Sequence, residues 1–227
     1  MRICVFSDIH GNSEAFDKMI SNETGKADTY IFAGDIWGYF YDQPGIIDRL
    51  IDTENLIAVK GNHDEYYLAG DRSTKLLNKY GSSYLNEISD AQMSFMKKLP
   101  DHLDIMIDGK RFGIYHGGNA DFLEQRIYPD TEIDETILSR KFDYLILGHT
   151  HYRMCRRIKD TMIINPGSLG QPRDGHGFSY CILDTETGRI DFKSVDIDID
   201  KLLSLSKKID GEKDVYKYLK WKYKEIG

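Results

Sequence analysis

Five short apolar runs in this chain each give way, within a few residues and beside a glycine, to aspartate, asparagine or histidine. Ile3–Phe6 leads into Asp8 and His10 in "SDIHGN", and Tyr30–Ala33 leads into Asp35 in "GDIWGY". Leu56–Val59 leads into Asn62, His63 and Asp64 in "GNHDEY". A later strand-like run ends at His116 in "YHGG", and Tyr144–Leu147 ends at His149 and His151 in "GHTH". Parallel strands of an α/β sheet open their carboxyl ends onto one crevice. Segments far apart in the chain are therefore expected to bring these side chains together.

The segments between these runs fit such a sheet. Ser13–Ser21 carries Ala15, Phe16, Met19 and Ile20 at helical spacing, and residues 45–52 read as a second helix. Strand, helix, strand, helix, strand implies parallel strands with right-handed crossovers. Ile88–Leu99 reads as a helix closed by Pro100. "LDIMIDGKRFGIYHG" reads as a hairpin turning at Asp108-Gly109. A helix is expected at residues 132–140, with further strands at 144–147, 153–158, 162–164, 178–183 and 190–195. From residue 200 the chain is rich in Lys, Leu and Tyr and is expected to be a helical tail, set on the body or on a partner.

Composition narrows the function. A formal charge of −7 over 227 residues argues against a stable nucleic-acid complex, which asks for a basic face. The apolar start at Ile3–Phe6 is too short for a signal peptide or a membrane span. Cys4, Cys155 and Cys181 form no C-x-x-C pair, and all three are expected to be buried reduced thiols of a cytoplasmic protein.

Taken singly, an Asp or Asn after a strand is a helix cap, and a lone His is a hydrogen-bonded structural residue. Jointly, five of the seven histidines fall at these strand ends beside Asp8, Asp35 and Asn62, and histidine ranks poorly as a cap. A metal site accounts for the set better. Imidazole and carboxylate without thiolate suit Mn, Fe, Zn, Ni or Co. The ligands are too many for one tetrahedral ion, whereas two ions roughly 3.5–4 Å apart, sharing one carboxylate, would use them all. Four metal charges against two carboxylates make a cationic pocket suited to phosphate.

The ordered set "DIH", "GD", "GNHD", "HG" and "GHTH" resembles the calcineurin-like metallophosphoesterase superfamily, and "NPGSLGQPRDG" at 165–175 is similar to its small prokaryotic phosphodiesterase branch. The resemblance runs over residues 1–195. It implies two sheets packed face to face with helices outside, a four-layer αββα sandwich. The whole chain 1–227 would be one domain, with 200–227 as its tail and a dinuclear site at the carboxyl ends of the strands. Asp8, His10 and His151 would hold one divalent ion and Asn62, His116 and His149 the other, with Asp35 bridging. Manganese is the first expectation. His63 would act as acid or transition-state stabiliser beside a bridging hydroxide that attacks phosphorus, and Asp64 would orient His63.

The implied substrate is a small phosphoester, a diester ahead of a monoester, with nucleotide-like esters and dinucleoside polyphosphates as candidates. Arg173 is a candidate phosphate contact, against a structural ion pair. Asn12 is a candidate substrate contact, against a cap of the helix at Ser13. The aromatic run at 37–45 could stack on a base, cover the core or form a homo-oligomer contact. A protein phosphatase is disfavoured, because Gly38 and Tyr39 replace the Asp-Arg of that group's G-D-x-x-D-R-G. A non-catalytic scaffold is disfavoured because the ligands are all present. His102 and His176 are expected at the surface.

Overall fold

The structure is a computed structural model that describes residues 1–133 and 140–225. In chain order its elements begin β1 (Arg2–Phe6), α1 (Ser13–Glu23), β2 (Thr29–Phe32), α2 (Gln43–Asp52) and β3 (Leu56–Ala58). Then come α3 (Asn62–Leu68), α4 (Thr74–Tyr80), a 3-10 turn (Ser82–Leu85) and α5 (Asp90–Lys98). Strands follow: β4 (His102–Ile107), β5 (Lys110–Tyr115), β6 (Tyr144–Ile146), β7 (Arg153–Ile158), β8 (Thr161–Pro166), β9 (Phe178–Asp184) and β10 (Ile190–Val195). The chain closes with α6 (Ile199–Asp210), α7 (Asp214–Lys220) and a π-helical turn (Trp221–Glu225). The helix expected at 132–140 lies, for residues 134–139, outside the described residues.

Two mixed five-stranded sheets form an α/β sandwich, ordered β10-β9-β1-β2-β3 and β4-β5-β6-β8-β7. Strand alternation explains the layers. Ile3 and Val5 of β1, Ile31 of β2 and Ala33 just after it meet Phe112, Ile114, Ile146 and Ile164 between the sheets. Their neighbours Cys4, Phe6, Tyr30 and Phe32 turn outward onto Phe16 and Met19 of α1 and Ile46 and Leu50 of α2. Both faces of β1 are apolar because both are covered, and each such buried Phe or Ile contributes about 1.5–3 kcal/mol.

β1, β2 and β3 run parallel in register, as their helical crossovers require. The hairpin β4–β5 turns through Asp108 and Gly109, at φ 50° and 70°. The middle of the second sheet was not visible in the sequence: β5, β6 and β8 are parallel neighbours, so β5, β6 and β1–β3 all send their carboxyl ends to the same edge. The helices of residues 62–85 were not expected either. Of the cysteines, Cys4 and Cys181 are buried, but Cys155 is exposed, because its position on edge strand β7 faces outward.

The C-terminal helices lie on the body. Leu203 and Leu219 pack against Tyr39 and Phe40 from the aromatic run, which is thereby largely a structural contact. The buried carboxylate of Asp210, at the end of α6, accepts hydrogen bonds from Tyr41 Oη at 2.9 Å and from the Ser82 amide at 3.2 Å. It thus ties the 3-10 turn to the tail. Asp210→Ala leaves the Ser82 amide without an acceptor and Tyr41 Oη with Ser206 Oγ alone, and is expected to lower stability by about 1–3 kcal/mol. Urea denaturation reads this directly, and an unchanged midpoint would mean that the tail does not brace the turn.

Candidate metal centre

The loops after β1 and β2 are continuations of the strand ladder. The Asp8 amide donates to the Gly34 carbonyl at 2.8 Å, and the His10 amide to the Asp35 carbonyl at 3.1 Å. Five residues of the cluster take left-handed backbone: Asp8 (φ 52°), His10 (50°), Asp35 (70°), His149 (66°) and His151 (61°). Such conformations are uncommon outside glycine and concentrate at functional sites, where the surrounding structure over-determines them. The segment 165–171 does part of that work. Asn165 Nδ2 donates to the Gly148 carbonyl at 2.6 Å, holding the turn that carries both histidines. Ser168 Oγ donates to the Asp8 carbonyl at 2.9 Å. Gly34 is demanded by close approach: at φ 90°, a Cβ there would lie 2.7 Å from the Gly61 amide nitrogen and 2.8 Å from His116 Nδ1.

Each of three imidazoles has its Nδ1 against a backbone carbonyl: His10 on Trp37 at 2.5 Å, His116 on Ala33 at 2.7 Å and His151 on Gln171 at 2.6 Å. Those carbonyls keep a hydrogen on Nδ1, so His10 and His151, which burial holds neutral, present bare Nε2 lone pairs to the interior. His10 Nε2 and His151 Nε2 then face each other at 3.1 Å with no hydrogen to share. Asn62 Oδ1 stands 3.1 Å from both His116 Nε2 and His149 Nδ1. Tyr66 Oη accepts from Asn62 Nδ2 at 3.2 Å, which turns that oxygen inward.

The carboxylates complete the picture. Asp8 Oδ2 accepts from Ser7 Oγ at 2.6 Å, while Asp8 Oδ1 is buried without a hydrogen bond, 3.2 Å from His151 Nε2. Asp35 Oδ1 accepts from the His63 amide at 2.9 Å, while Asp35 Oδ2 is likewise orphaned, 3.7 Å from His10 Nε2 and 3.2 Å from His116 Nε2. Orphaned buried carboxylate oxygens are rare and costly. Converging lone pairs and orphaned anions, with no thiolate, form a donor set that fits divalent cations. Asp8, His10 and His151 form one group that could hold an ion; Asp35, His116 and His149 form another. The two histidines of "GHTH" thus belong to different groups. His63 also falls within reach of His10 and Asp35.

The protonation states of His10 and His151 suit cation binding. Burial, then the nearby His151, holds His10 well below its ordinary pKa. Burial also lowers His151, with Arg173 adding to it, and His149, down to about 2. These rings are therefore neutral, and Nε2 of His10 and of His151 is open to an ion, while His149 Nε2 is covered by Arg126 Nε. His116 differs: burial opposes its charge, but Asp35 and Asp8 outweigh burial and push it up to about 10. Burial raises both Asp8 and Asp35, and neighbouring His116 pulls them back.

Two expected roles are corrected. Asp64 does not touch the His63 ring. Its Oδ1 accepts from the amides of Ile36 (2.8 Å) and Trp37 (3.2 Å), and its Oδ2 from those of Asp35 (3.0 Å) and Gly61 (2.9 Å). Both oxygens are consumed in shaping the loops that carry Asp35 and Asn62. Burial and the Asp35 charge push its pKa up to about 7. Asn12 does not reach the cleft either. Buried at 1% exposure, it caps α1 by accepting from the Ala15 amide and donates to the Leu169 carbonyl at 2.8 Å. His102 is half-buried against Phe122, with ring centroids 3.8 Å apart.

A cleft of about 330 Å³ opens over the cluster, lined by Asp35, His63, His149 and His151 and by the cations Lys79, Arg126 and Arg173. Arg173 donates to Tyr39 Oη at 3.1 Å. Arg126 Nε donates to His149 Nε2 at 3.0 Å. Arg126, Tyr66 and Tyr84 were missed from the sequence, since none lies in a recognisable spacing with the ligands it serves.

A hydrolytic phosphoester site is the class that this fold and cluster define, and the comparisons agree. The profile of the calcineurin-like phosphoesterase superfamily domain matches residues 1–188, so the chain belongs to that superfamily. It is a hydrolase acting on phosphoester bonds, in a family that depends on metal ions. An uncharacterised protein of Methanocaldococcus jannaschii is 32% identical over 222 residues, covering 88% of this chain and 89% of its own length. A phosphodiesterase of the same organism is 29% identical, covering 82% of this chain and 94% of its own length. A crystal structure of a metallophosphoesterase from Sphaerobacter thermophilus superposes with TM-score 0.80 over 96% of this chain and 98% of its own, at 24% identity, which speaks to the fold.

The loop-shaping role of Asp64 is testable. Asp64→Asn replaces an oxygen that accepts two amide hydrogens with an NH2 group, and is expected to cost about 2–3 kcal/mol of stability. Thermal or urea unfolding checks it. Unaltered stability with lost turnover would return Asp64 to a role on His63.

Proposed function

We propose that the chain hydrolyses phosphodiesters at a pair of divalent cations. Asp8, His10 and His151 hold one, Asn62, His116 and His149 hold the other, and Asp35 serves both. One observation carries this reading: Asp8 Oδ1 is orphaned at 0% exposure beside His151 Nε2, which carries no hydrogen on that side, and Asp35 Oδ2, at 1% exposure, meets only the charged His116 ring at 3.2 Å. Carboxylate, amide oxygen and imidazole suit manganese among the first-row ions. Bound there, the ions supply an activated water near neutral pH and offset charge on the phosphoryl oxygens. The free thiols fit a reducing cytoplasm.

The remaining groups divide the rest of the work. Arg173 and Arg126, at the rim of the cleft, are suited to bidentate contacts with phosphate oxygens. His63 lines the same cleft and donates a hydrogen to the leaving oxygen, or holds it as charge develops. Tyr39 and Tyr80 line the wall beside Arg173 and offer aromatic surface to a nucleotide base. The curated relative named as a phosphodiesterase, matched over most of both chains, supports a diester over a monoester.

Two variants test the division of labour on the phenyl ester of thymidine 5′-phosphate. His63→Ala is expected to keep its metal and lose about 10²-fold or more in kcat. Asp35→Asn is expected to lose metal, read by elemental analysis of the purified protein. Native turnover by the first variant, or native metal content in the second, would contradict the assignment.

A further inference from the structure

Tyr84 stands apart from everything assigned above. It sits in the 3-10 turn Ser82–Leu85, fully buried, and its hydroxyl is hydrogen-bonded to His63 Nδ1. Among the described residues this is the one hydrogen bond made by the His63 ring. The groups packed around that ring are His10, Tyr39, Tyr66 and Tyr80, at centroid distances of 5.0, 5.9, 5.6 and 4.5 Å. They make no hydrogen bond to its nitrogens. On the opposite side lies Gly38, where a Cβ would be 2.8 Å from His63 Nδ1. The loop therefore keeps side chains off that nitrogen, and the tyrosine hydroxyl reaches it.

The direction of the bond follows from what each partner has to spare. Tyr84 Oη makes no other hydrogen bond among the described residues, so its hydrogen goes to Nδ1. A ring that accepts at Nδ1 carries its own hydrogen on Nε2. Nε2 is then the nitrogen left to the cleft that His63 lines.

We propose that Tyr84 is a positioning residue that fixes His63 as the Nε2–H tautomer, aimed at the leaving-group oxygen of the substrate. His63 then acts through a hydrogen bond to the oxygen on which negative charge develops. The tail takes part in the arrangement, since Asp210 holds the Ser82 amide two residues before Tyr84. This inference rests on the role given to His63 above.

The test pairs Tyr84→Phe with His63→Ala and their double variant, on the p-nitrophenyl and phenyl esters of thymidine 5′-phosphate. Phenol is the poorer leaving group and depends more on the hydrogen bond. Tyr84→Phe is expected to cut kcat on the phenyl ester about 10-fold or more, the range seen when a histidine loses its orienting partner. KM and metal content stay within about 2-fold, the p-nitrophenyl ester is much less affected, and the double variant is no slower than His63→Ala. In zinc-loaded, 15N-histidine-labelled protein, the His63 ring signals show the Nε2–H tautomer, and Tyr84→Phe mixes the two tautomers. Equal losses on both esters, or a further loss in the double variant, make Tyr84 merely structural and overturn the proposal. Wild-type kinetics in Tyr84→Phe with an impaired His63→Ala overturn the role of Tyr84 alone. Wild-type kinetics in His63→Ala overturn the His63 assignment and this proposal with it.

Discussion

Two buried carboxylates among imidazole rings set the terms for the rest of this structure. Asp8 Oδ1 has no hydrogen-bond donor, Asp35 Oδ2 meets only the charged His116 ring, and His10 and His151 face each other through bare nitrogens. Burying anions and acceptors in this way opposes folding unless positive charge compensates them. Much of the surrounding architecture keeps the donors pointed inward against that opposition. Backbone carbonyls hold Nδ1 of three histidines. Asp64 binds four amides of the two adjoining loops. Asn165 and Ser168 lash the later histidine turn and the first aspartate loop to one another.

The sandwich makes this convergence available. β1–β3 of one sheet and β5, β6 of the other are parallel strands whose carboxyl ends meet at one edge. The loops after β1 and β2 carry the strand ladder on through Asp8 and His10, so the candidate ligands there inherit a fixed position from the strands. The left-handed backbone at five of these residues is the local cost of turning the side chains into a shared space. Around this fixed floor, α4, the 3-10 turn and the C-terminal helices form a wall. Tyr80 and Lys79 come from α4, and Tyr84 comes from the turn that Asp210 anchors. A rigid floor of candidate metal ligands and a wall built from a separate part of the chain divide chemistry from substrate fit.

Much of the floor was legible in the sequence because it repeats: an apolar run, a glycine and a ligand-type residue. Short apolar runs placed β1 and β2, and their helical crossovers implied parallel pairing. Two assignments misread that same pattern. Asp64 and Asn12 are polar residues beside the candidate ligands, but the amides that Asp64 binds and the Leu169 carbonyl that Asn12 binds come from loops whose path only the folded chain reveals. The wall was largely illegible. Tyr84 reaches His63 from 21 residues away, through a short turn with no periodicity to announce it. Arg126 meets His149 across 23 residues in the same way. The parallel pairing of β5 with β6 was hidden for a related reason: the connection between them is long, and no local pattern marks where it returns.

The account's central claim is that one histidine of "GHTH" serves each of two ions. Crystals of the metal-loaded protein, measured at and away from the metal's absorption edge, test this most directly. Two anomalous peaks roughly 3.5–4 Å apart are expected, with His151 contacting one, His149 contacting the other and Asp35 contacting both. A single peak at full occupancy, or two peaks with both histidines on the same ion, would contradict it.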